Sequence, residues 1–220
     1  MSKPQLPKPL IFGISGITLS EAEREVYTKI QPLGFILFKK NLVDKEQVSK
    51  LCAELRELVG RGDAPILVDQ EGGSVNRLRP PLWRQPPSPL ELGKFAYANI
   101  DNALQKAAKL VNLNGQLTAY EMQEIGINAN CAPVADLLIP GTHHITSTRS
   151  FGPDRKITTI LVNNMIDGMG KCGVQAIMKH MLGQGRGKVD SHMSLPIVTE
   201  DLATLEQTDF AVFKNAKNAK

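Results

Sequence analysis

Aromatic residues are scarce in this chain of 220 residues, and so is net charge. Aromatics make up 5% of the chain, whereas a nucleic-acid binder is expected to interleave aromatics with a dense basic face. The formal net charge is only +4, and the one basic cluster, residues 214–220, is predicted to be a solvated tail. The composition therefore argues against a nucleic-acid partner.

Cysteines and long apolar runs are also few. The three cysteines, Cys52, Cys131 and Cys172, are widely spaced, cannot all pair and form no CxxC motif. They are typical of reduced thiols in a cytosolic protein and argue against a structural zinc site. No apolar run reaches the roughly 18 residues that span a bilayer, and the N-terminus lacks the apolar region of a signal peptide. We therefore expect a cytoplasmic protein with no membrane partner.

Apolar segments alternate with amphipathic ones along the chain. Strands are predicted at Leu10–Ile17, Gly34–Phe38, Pro65–Asp69, Asn128–Val134 and Val174–His180. Helices are predicted at Glu21–Lys29, Asp44–Leu58, Asp101–Ile125, Thr158–Cys172 and Glu200–Lys217. Continuous apolar strands favour a sheet covered on both faces, and the repetition of strand and helix favours parallel strands. We predict one α/β domain over residues 1–220 that is built as a (β/α)₈ TIM-type barrel.

The predicted barrel is incomplete. Five strands extend as far as His180, whereas eight at this density would need roughly 330 to 350 residues. About five of eight units are therefore expected, and the open edge predicts self-association or a complementing chain. The alternative is a doubly wound open sheet, but no GxGxxG motif follows the first predicted strand.

Two segments carry polar residues that could do chemistry, and familiar nucleotide and serine-hydrolase motifs are absent. In the first, Asp69 ends a strand and Arg77 follows a Gly-Gly turn, so that the two could hold a polar ligand from both sides. The structural alternative is that Asp69 caps a loop and Arg77 pairs with Glu71.

The second segment runs from Lys179 to His192 and contains three glycines, which predict a mobile or tightly turned loop. Asp190 can orient the imidazole of His192, as a general acid/base requires. The alternatives are an ordinary surface histidine or a metal site that uses His180, Asp190 and His192. The absence of HxH and HxxxH pairs argues against metal.

Together these segments resemble glycoside hydrolase family three, and in particular its single-domain bacterial β-N-acetylhexosaminidases. The resemblance rests on Val68–Gly73 with Arg77–Pro81, Asn128–Asp136, Arg149–Gly152, Lys179–His180, and Asp190–His192 with Leu195–Pro196. These stretches follow in the family's order and cover nearly the whole chain.

The resemblance implies a (β/α)₈ enzyme that removes terminal N-acetylglucosamine with retention, without cofactor or metal, in the recycling of muropeptides in the cytoplasm. It implies that His192 is the acid/base, with Asp190 orienting it. The residues that it implies for substrate binding are Asp69, Arg77, Arg149, Lys179 and His180.

Two departures from the family pattern affect these expectations. The family loop reads KHFPGHGD, whereas this chain has Gln184 and Arg186 in place of a histidine and an acid. The family's nucleophilic aspartate lies on a later strand with no counterpart here, and Asp201 and Asp209 fall in the last predicted helix. A retaining mechanism needs both groups. We therefore expect a truncated chain with weak or no hydrolysis; the alternative is a non-catalytic, degenerate sugar-binding remnant.

Overall fold

A parallel five-stranded sheet forms the centre of the fold, and its strand order follows the chain. The computed structural model describes residues 6–190 and 192–216, except for the side chains of residues 144 and 145. Its strands are β1 (Lys8–Gly13), β2 (Pro32–Leu37), β3 (Ile66–Val68), β4 (Gln70–Gly72), β5 (Val75–Asn76), β6 (Ala129–Asn130) and β7 (Gln175–Ala176). The sheet order is β1-β2-β3-β6-β7, and β4 and β5 form a separate antiparallel hairpin.

Helices follow the strands, and side-chain caps fix where several of them begin. They are α1 (Glu21–Ile30), α2 (Lys45–Leu58), α3 (Pro89–Lys94), α4 (Ala103–Gln123), α5 (His144–Ser147), α6 (Arg155–Lys171), α7 (Leu202–Gln207) and α8 (Asp209–Lys214). Ser20 and Glu23 form a reciprocal capping box at α1, while Asp44 and Asp154 cap α2 and α6. None of these helices, within the residues described, is long and apolar enough to cross a membrane.

The core lies between the sheet and its helices, and α4 packs closely against α6. Phe35, Leu37, Ile66 and Val68 of the central strands are fully buried. Glycines allow the two helix backbones to approach, since a Cβ on Gly168 would lie 2.2 Å from the carbonyl oxygen of Asn112. The α4–α6 contact therefore depends on the absence of a side chain at this position.

The predicted fold class is confirmed. A doubly wound sheet reverses its strand order at a switch point, whereas the order here is sequential, as in a barrel. Within the described residues β1 and β7 are the two edges, so the sheet is a partial barrel. The parallel ladder continues past β7 through a bridge between Val134 and Lys179.

Several predicted boundaries were wrong. The first strand ends at Gly13 rather than Ile17, and the Ser15 N–H there donates to the Glu23 side chain at 2.8 Å instead of to a ladder. The single helix predicted over Glu200–Lys217 is two helices, because Thr208 lies between them with a non-helical backbone. Position 217 and the rest of the predicted basic tail to residue 220 lie outside the described residues.

Two glycines of α6 give a matched test of the helix contact. Gly168→Ala is expected to destabilise the protein by about 2 kcal/mol, because the new methyl group would overlap the α4 backbone. Gly170→Ala, on the same helix, meets nothing within 4 Å and is expected to stabilise by up to about 1 kcal/mol. Urea denaturation of both variants measures this, and equal effects would contradict the close approach.

Candidate functional site

Polar side chains meet at the carboxyl end of the sheet, which we call the rim. Asp69 follows β3, Asp136 follows β6, and Lys179 and His180 follow β7. Parallel neighbours bring these strand ends to the same edge, and this edge is where barrel active sites lie. The sequence thus places four titratable groups in one small region.

Glu71, on the β4 strand of the hairpin, is the most enclosed member of the rim. Its side chain has no exposed surface, and it accepts two hydrogen bonds from Arg149, at 2.7 Å from Nε and 2.8 Å from Nη2. Lys179 Nζ lies 2.6 Å from the same carboxylate. Two cations are therefore fixed by one buried acid, and the fork geometry sets the plane of the guanidinium.

Asp69 lies beside this buried group and is partly exposed. It accepts hydrogen bonds from Lys179 Nζ at 2.7 Å and from Arg77 Nη2 at 3.1 Å. Burial raises the pKa of Asp69, but Lys179 and Arg77 outweigh that effect and hold the pKa below its usual value. The carboxylate is therefore ionised at neutral pH. Arg77 pairs with Asp69 and not with Glu71, so the structural alternative named from the sequence was wrong about this partner.

His180 connects the cation cluster to a second buried acid. Its Nδ1 lies 2.6 Å from Asp136 Oδ2, and its Nε2 lies 3.1 Å from Arg149 Nη2. Arginine can only donate, so Nε2 must accept and Nδ1–H must donate to Asp136. In this pattern the Asp136 carboxylate orients the imidazole ring of His180 through Nδ1.

Asp190 and His192 form the predicted pair, but on an exposed loop. Asp190 Oδ1 lies 2.7 Å from His192 Nδ1 and accepts the His192 backbone N–H at 2.9 Å. These bonds hold the pKa of Asp190 below its usual value. The His192 side chain is 81% exposed, and no hydrogen bond among the described residues joins it to the rim. Ser191, between them in sequence, lies outside those residues.

The loop before Asp190 is tightly turned and fastened at Arg186. Gly185 packs so closely that a Cβ there would lie 2.2 Å from the Leu137 carbonyl oxygen. Arg186 donates to Asp209 at 2.6 Å, to Glu200 at 2.9 Å and to Thr208 at 3.0 Å. The sequence predicted either a mobile loop or a tight turn for this glycine-rich segment, and residues 183–187 form a tight turn. Arg186, one of the two residues that depart from the family loop, thus ties the loop to α8.

The structure therefore divides the predicted site into two groups. One group lies together at the rim and comprises Asp69, Arg77, Arg149, Lys179 and His180. The other is the Asp190–His192 pair. Sequence reasoning missed Glu71 as a site residue, although it lies two positions after Asp69, and it did not assign a role to Asp136. Among the described residues, no three histidine, cysteine or acidic side chains are grouped as metal ligands.

Comparisons with known proteins agree on one family. The model for the glycosyl hydrolase family 3 N terminal domain matches residues 5–220. A curated "Beta-hexosaminidase" of Pseudomonas aeruginosa (strain LESB58) is 32% identical over 207 residues, which is 93% of this chain and 58% of the relative. A "Beta-hexosaminidase" of Aromatoleum aromaticum is 31% identical over 210 residues, covering 94% of this chain and 56% of the relative. The chain thus spans less than two thirds of the length of these relatives.

Solved structures give the same result. A crystal structure of NagZ from Neisseria gonorrhoeae, in complex with N-trifluoroacetyl-D-glucosamine, superposes with a TM-score of 0.87 at 29% identity, covering 97% of this chain and 60% of that one. A family 3 β-N-acetylglucosaminidase from Paenibacillus gives a TM-score of 0.82 at 31% identity, covering 94% and 38%.

The lowered pKa of Asp69 predicts a specific loss of stability in acid. A depressed pKa contributes stability at pH values above the unfolded value of 3.8, and that contribution disappears as the pH falls through the lower folded pKa. Asp69→Asn should cost about 1–2 kcal/mol at pH 7 and should converge with the parent protein in acid. Denaturant titrations between pH 7 and pH 2 measure this, with the exposed Glu25→Gln as the control. A difference that is constant with pH would contradict it.

Arg186 is predicted to stabilise the loop through Asp209. Arg186→Met leaves the buried Asp209 without its cation, and we expect a loss of about 3 kcal/mol. Lys188→Met, an exposed position on the same loop, is the matched control and should change stability by less than about 0.5 kcal/mol. Denaturation gives the global effect, and faster amide exchange confined to residues 183–187 and α8 gives the local one. Equal stability of both variants would show that Arg186 does not fasten the loop.

Proposed function

This chain belongs to glycosyl hydrolase family 3, and we propose that its rim binds a terminal N-acetylhexosamine. Exposure separates the rim groups into two roles. Asp69, Lys179 and His180 keep 15%, 18% and 26% of their side-chain surface, whereas Glu71 and Asp136 keep none. The first three therefore present surface to a ligand. Of the two buried acids, Glu71 holds Lys179 and Asp136 holds His180.

The chemistry of the available groups suits a sugar. An ionised carboxylate accepts hydrogen bonds from hydroxyl groups, and an ammonium group donates to hydroxyl and carbonyl oxygens. In the network described above, the Asp69 carboxylate is the acceptor, while Lys179 and Arg77 are the donors beside it. A ring with several adjacent hydroxyl groups can exchange with both kinds of group at once. This juxtaposition at a barrel rim is the observation that carries the proposal.

For the whole protein we propose retaining hydrolysis of a β-N-acetylhexosaminide. The relatives carry the name β-hexosaminidase, and one related structure holds N-trifluoroacetyl-D-glucosamine. In this proposal His192 gives a proton to the leaving oxygen and later takes one from water. Asp190 accepts the Nδ1–H of His192, so that Nε2 faces outward to exchange that proton. The ionised Asp190 also stabilises the imidazolium form.

His192 has to approach the bound sugar for this chemistry. Its ring is exposed, so the segment beyond the fastened turn at 183–187 would close over the rim when sugar binds. Closure of this kind brings the acid/base to the scissile bond and excludes water.

The nucleophile would come from strands outside these 220 residues, docked on the open edge at β7. The exposed apolar residues Met193, Leu195 and Ile197, which follow Asp190 in the chain, offer a surface for such strands or for a complementing chain.

The proposed substrates are muropeptide-type saccharides that carry N-acetylglucosamine, processed in the cytoplasm. The three cysteines are unpaired in the structure, which is compatible with a reducing compartment.

The second candidate function is sugar binding without catalysis. The exposed position of His192, together with Gln184 and Arg186 in the loop, favours that alternative.

Binding and turnover can be separated experimentally. We expect the 220-residue chain to bind N-acetylglucosamine in isothermal titration, and Asp69→Asn to weaken binding at least about tenfold, since it removes an ionised acceptor. Glu25→Gln on α1 is the control with the same charge change. Heat of binding that is identical in all three proteins, or absent from all, would contradict the proposed site.

Turnover is then measured with a chromogenic N-acetylglucosaminide. The chain alone should show little hydrolysis, because retention requires a nucleophile in addition to the acid/base. Turnover close to that of a full-length relative would overturn the view that the nucleophile lies elsewhere. If the chain is active when complemented, His192→Ala should lower kcat at least about a hundredfold, because the leaving oxygen loses its proton donor, whereas a pure binding protein would stay inactive under all conditions.

A further inference from the structure

An apolar seam lies on the outer face of α4. Leu110, Leu113, Leu117 and Tyr120 are 40%, 45%, 55% and 61% exposed. Their spacing of three, four and three residues is the heptad spacing of helices that pack side by side. The opposite face of α4 is buried against α6 and the core. This helix therefore has a second packing surface, which nothing among the described residues covers.

Charged residues flank the seam in a symmetrical pattern. Lys106 and Lys109 precede it, and Glu121 and Glu124 follow it. Lys106 lies as many positions before residue 115 as Glu124 lies after it. The same is true of Lys109 and Glu121. The seam has the same symmetry, since 110 matches 120 and 113 matches 117. If two copies of α4 run antiparallel and are aligned at residue 115, apolar residues therefore lie level with apolar residues, and lysines lie level with glutamates.

We propose that a second copy of this chain docks on the seam, with the two α4 helices antiparallel about a two-fold axis at position 115. In that arrangement Leu113 packs on the partner's Leu117, and Leu110 on the partner's Tyr120. Lys106 meets the partner's Glu124, and the symmetry repeats each contact. A parallel arrangement would instead place lysines beside lysines. The pattern therefore selects one occupant and one orientation.

The existing partners of the glutamates show which charge pair is free to form. Glu121 uses both carboxylate oxygens, accepting the Arg84 N–H at 3.1 Å on Oε1 and contacting Arg84 Nε at 3.2 Å through Oε2. Glu124 contacts Lys45 at 2.9 Å through Oε2. Its other oxygen is open to a second lysine. The Lys106–Glu124 pair is therefore the better position at which to test the register.

Charge exchange between two variants tests this proposal. Lys106→Glu places glutamate opposite glutamate in its own dimer, and Glu124→Lys places lysine opposite lysine. Each variant alone should dimerise about tenfold more weakly than the parent chain, because two pairs change from attraction to repulsion. An equimolar mixture should recover the parent affinity through heterodimers, in which every pair is again opposite in charge. Lys50→Glu on α2 is the control with the same charge change.

Sedimentation velocity over a range of concentrations measures these affinities, and thermal melting confirms that each variant is folded. If Glu124→Lys melts early through loss of its Lys45 contact, Leu113→Glu at the exposed centre of the seam tests the same surface and should abolish dimerisation, whereas Leu202→Glu, an exposed leucine on α7, should not. A monomeric parent chain would overturn the proposal. So would variants that associate as the parent does, which is the result expected if self-association uses the open β7 edge, or a mixture that recovers no affinity.

Discussion

The buried carboxylate of Glu71 is the group on which the rim depends. It is enclosed completely, and it holds Arg149 through a two-point contact and Lys179 through a shorter one. Such an ion pair adds little net stability, because desolvation offsets its attraction, but the loss of one partner leaves an uncompensated charge. The contribution of Glu71 is therefore to position Arg149 and Lys179. The guanidinium of Arg149 that Glu71 holds also contacts His180, and the ammonium of Lys179 that Glu71 holds also contacts Asp69.

The rim is therefore pre-formed, whereas the proposed acid/base is not yet in place. Lys179 and His180 are held by the buried acids Glu71 and Asp136, and Asp69 is held in turn by Lys179. His192 is held only by Asp190, two residues away. This division is physically reasonable for a group that must approach a substrate after it binds, since a closed loop would block entry. In the closure proposed above, Arg186 would restrict movement to residues beyond the turn, because the turn itself is tied to Asp209.

Much of the fold could be predicted from the sequence, since strand and helix periodicities and caps are local signals. The order of five parallel strands was predicted correctly. The hairpin β4–β5 was not, because its strands have two or three residues and lie in a Gly-rich segment without alternation. Thr208, at which the last predicted helix breaks, accepts a hydrogen bond from Arg186, 22 positions earlier, and no local pattern carries that information.

The site followed the same rule. Residues at strand ends could be placed at one rim, because parallel strands end together, and the structure brings them together. Pairing could not be predicted, because the choice of Arg77 between two acids, Asp69 and Glu71, depends on which one the sheet buries. Glu71 points into the fold, where Arg149 arrives from 78 residues away. Burial thus determines which acid is structural and which can meet a ligand, and burial is a property of the assembled sheet rather than of any segment.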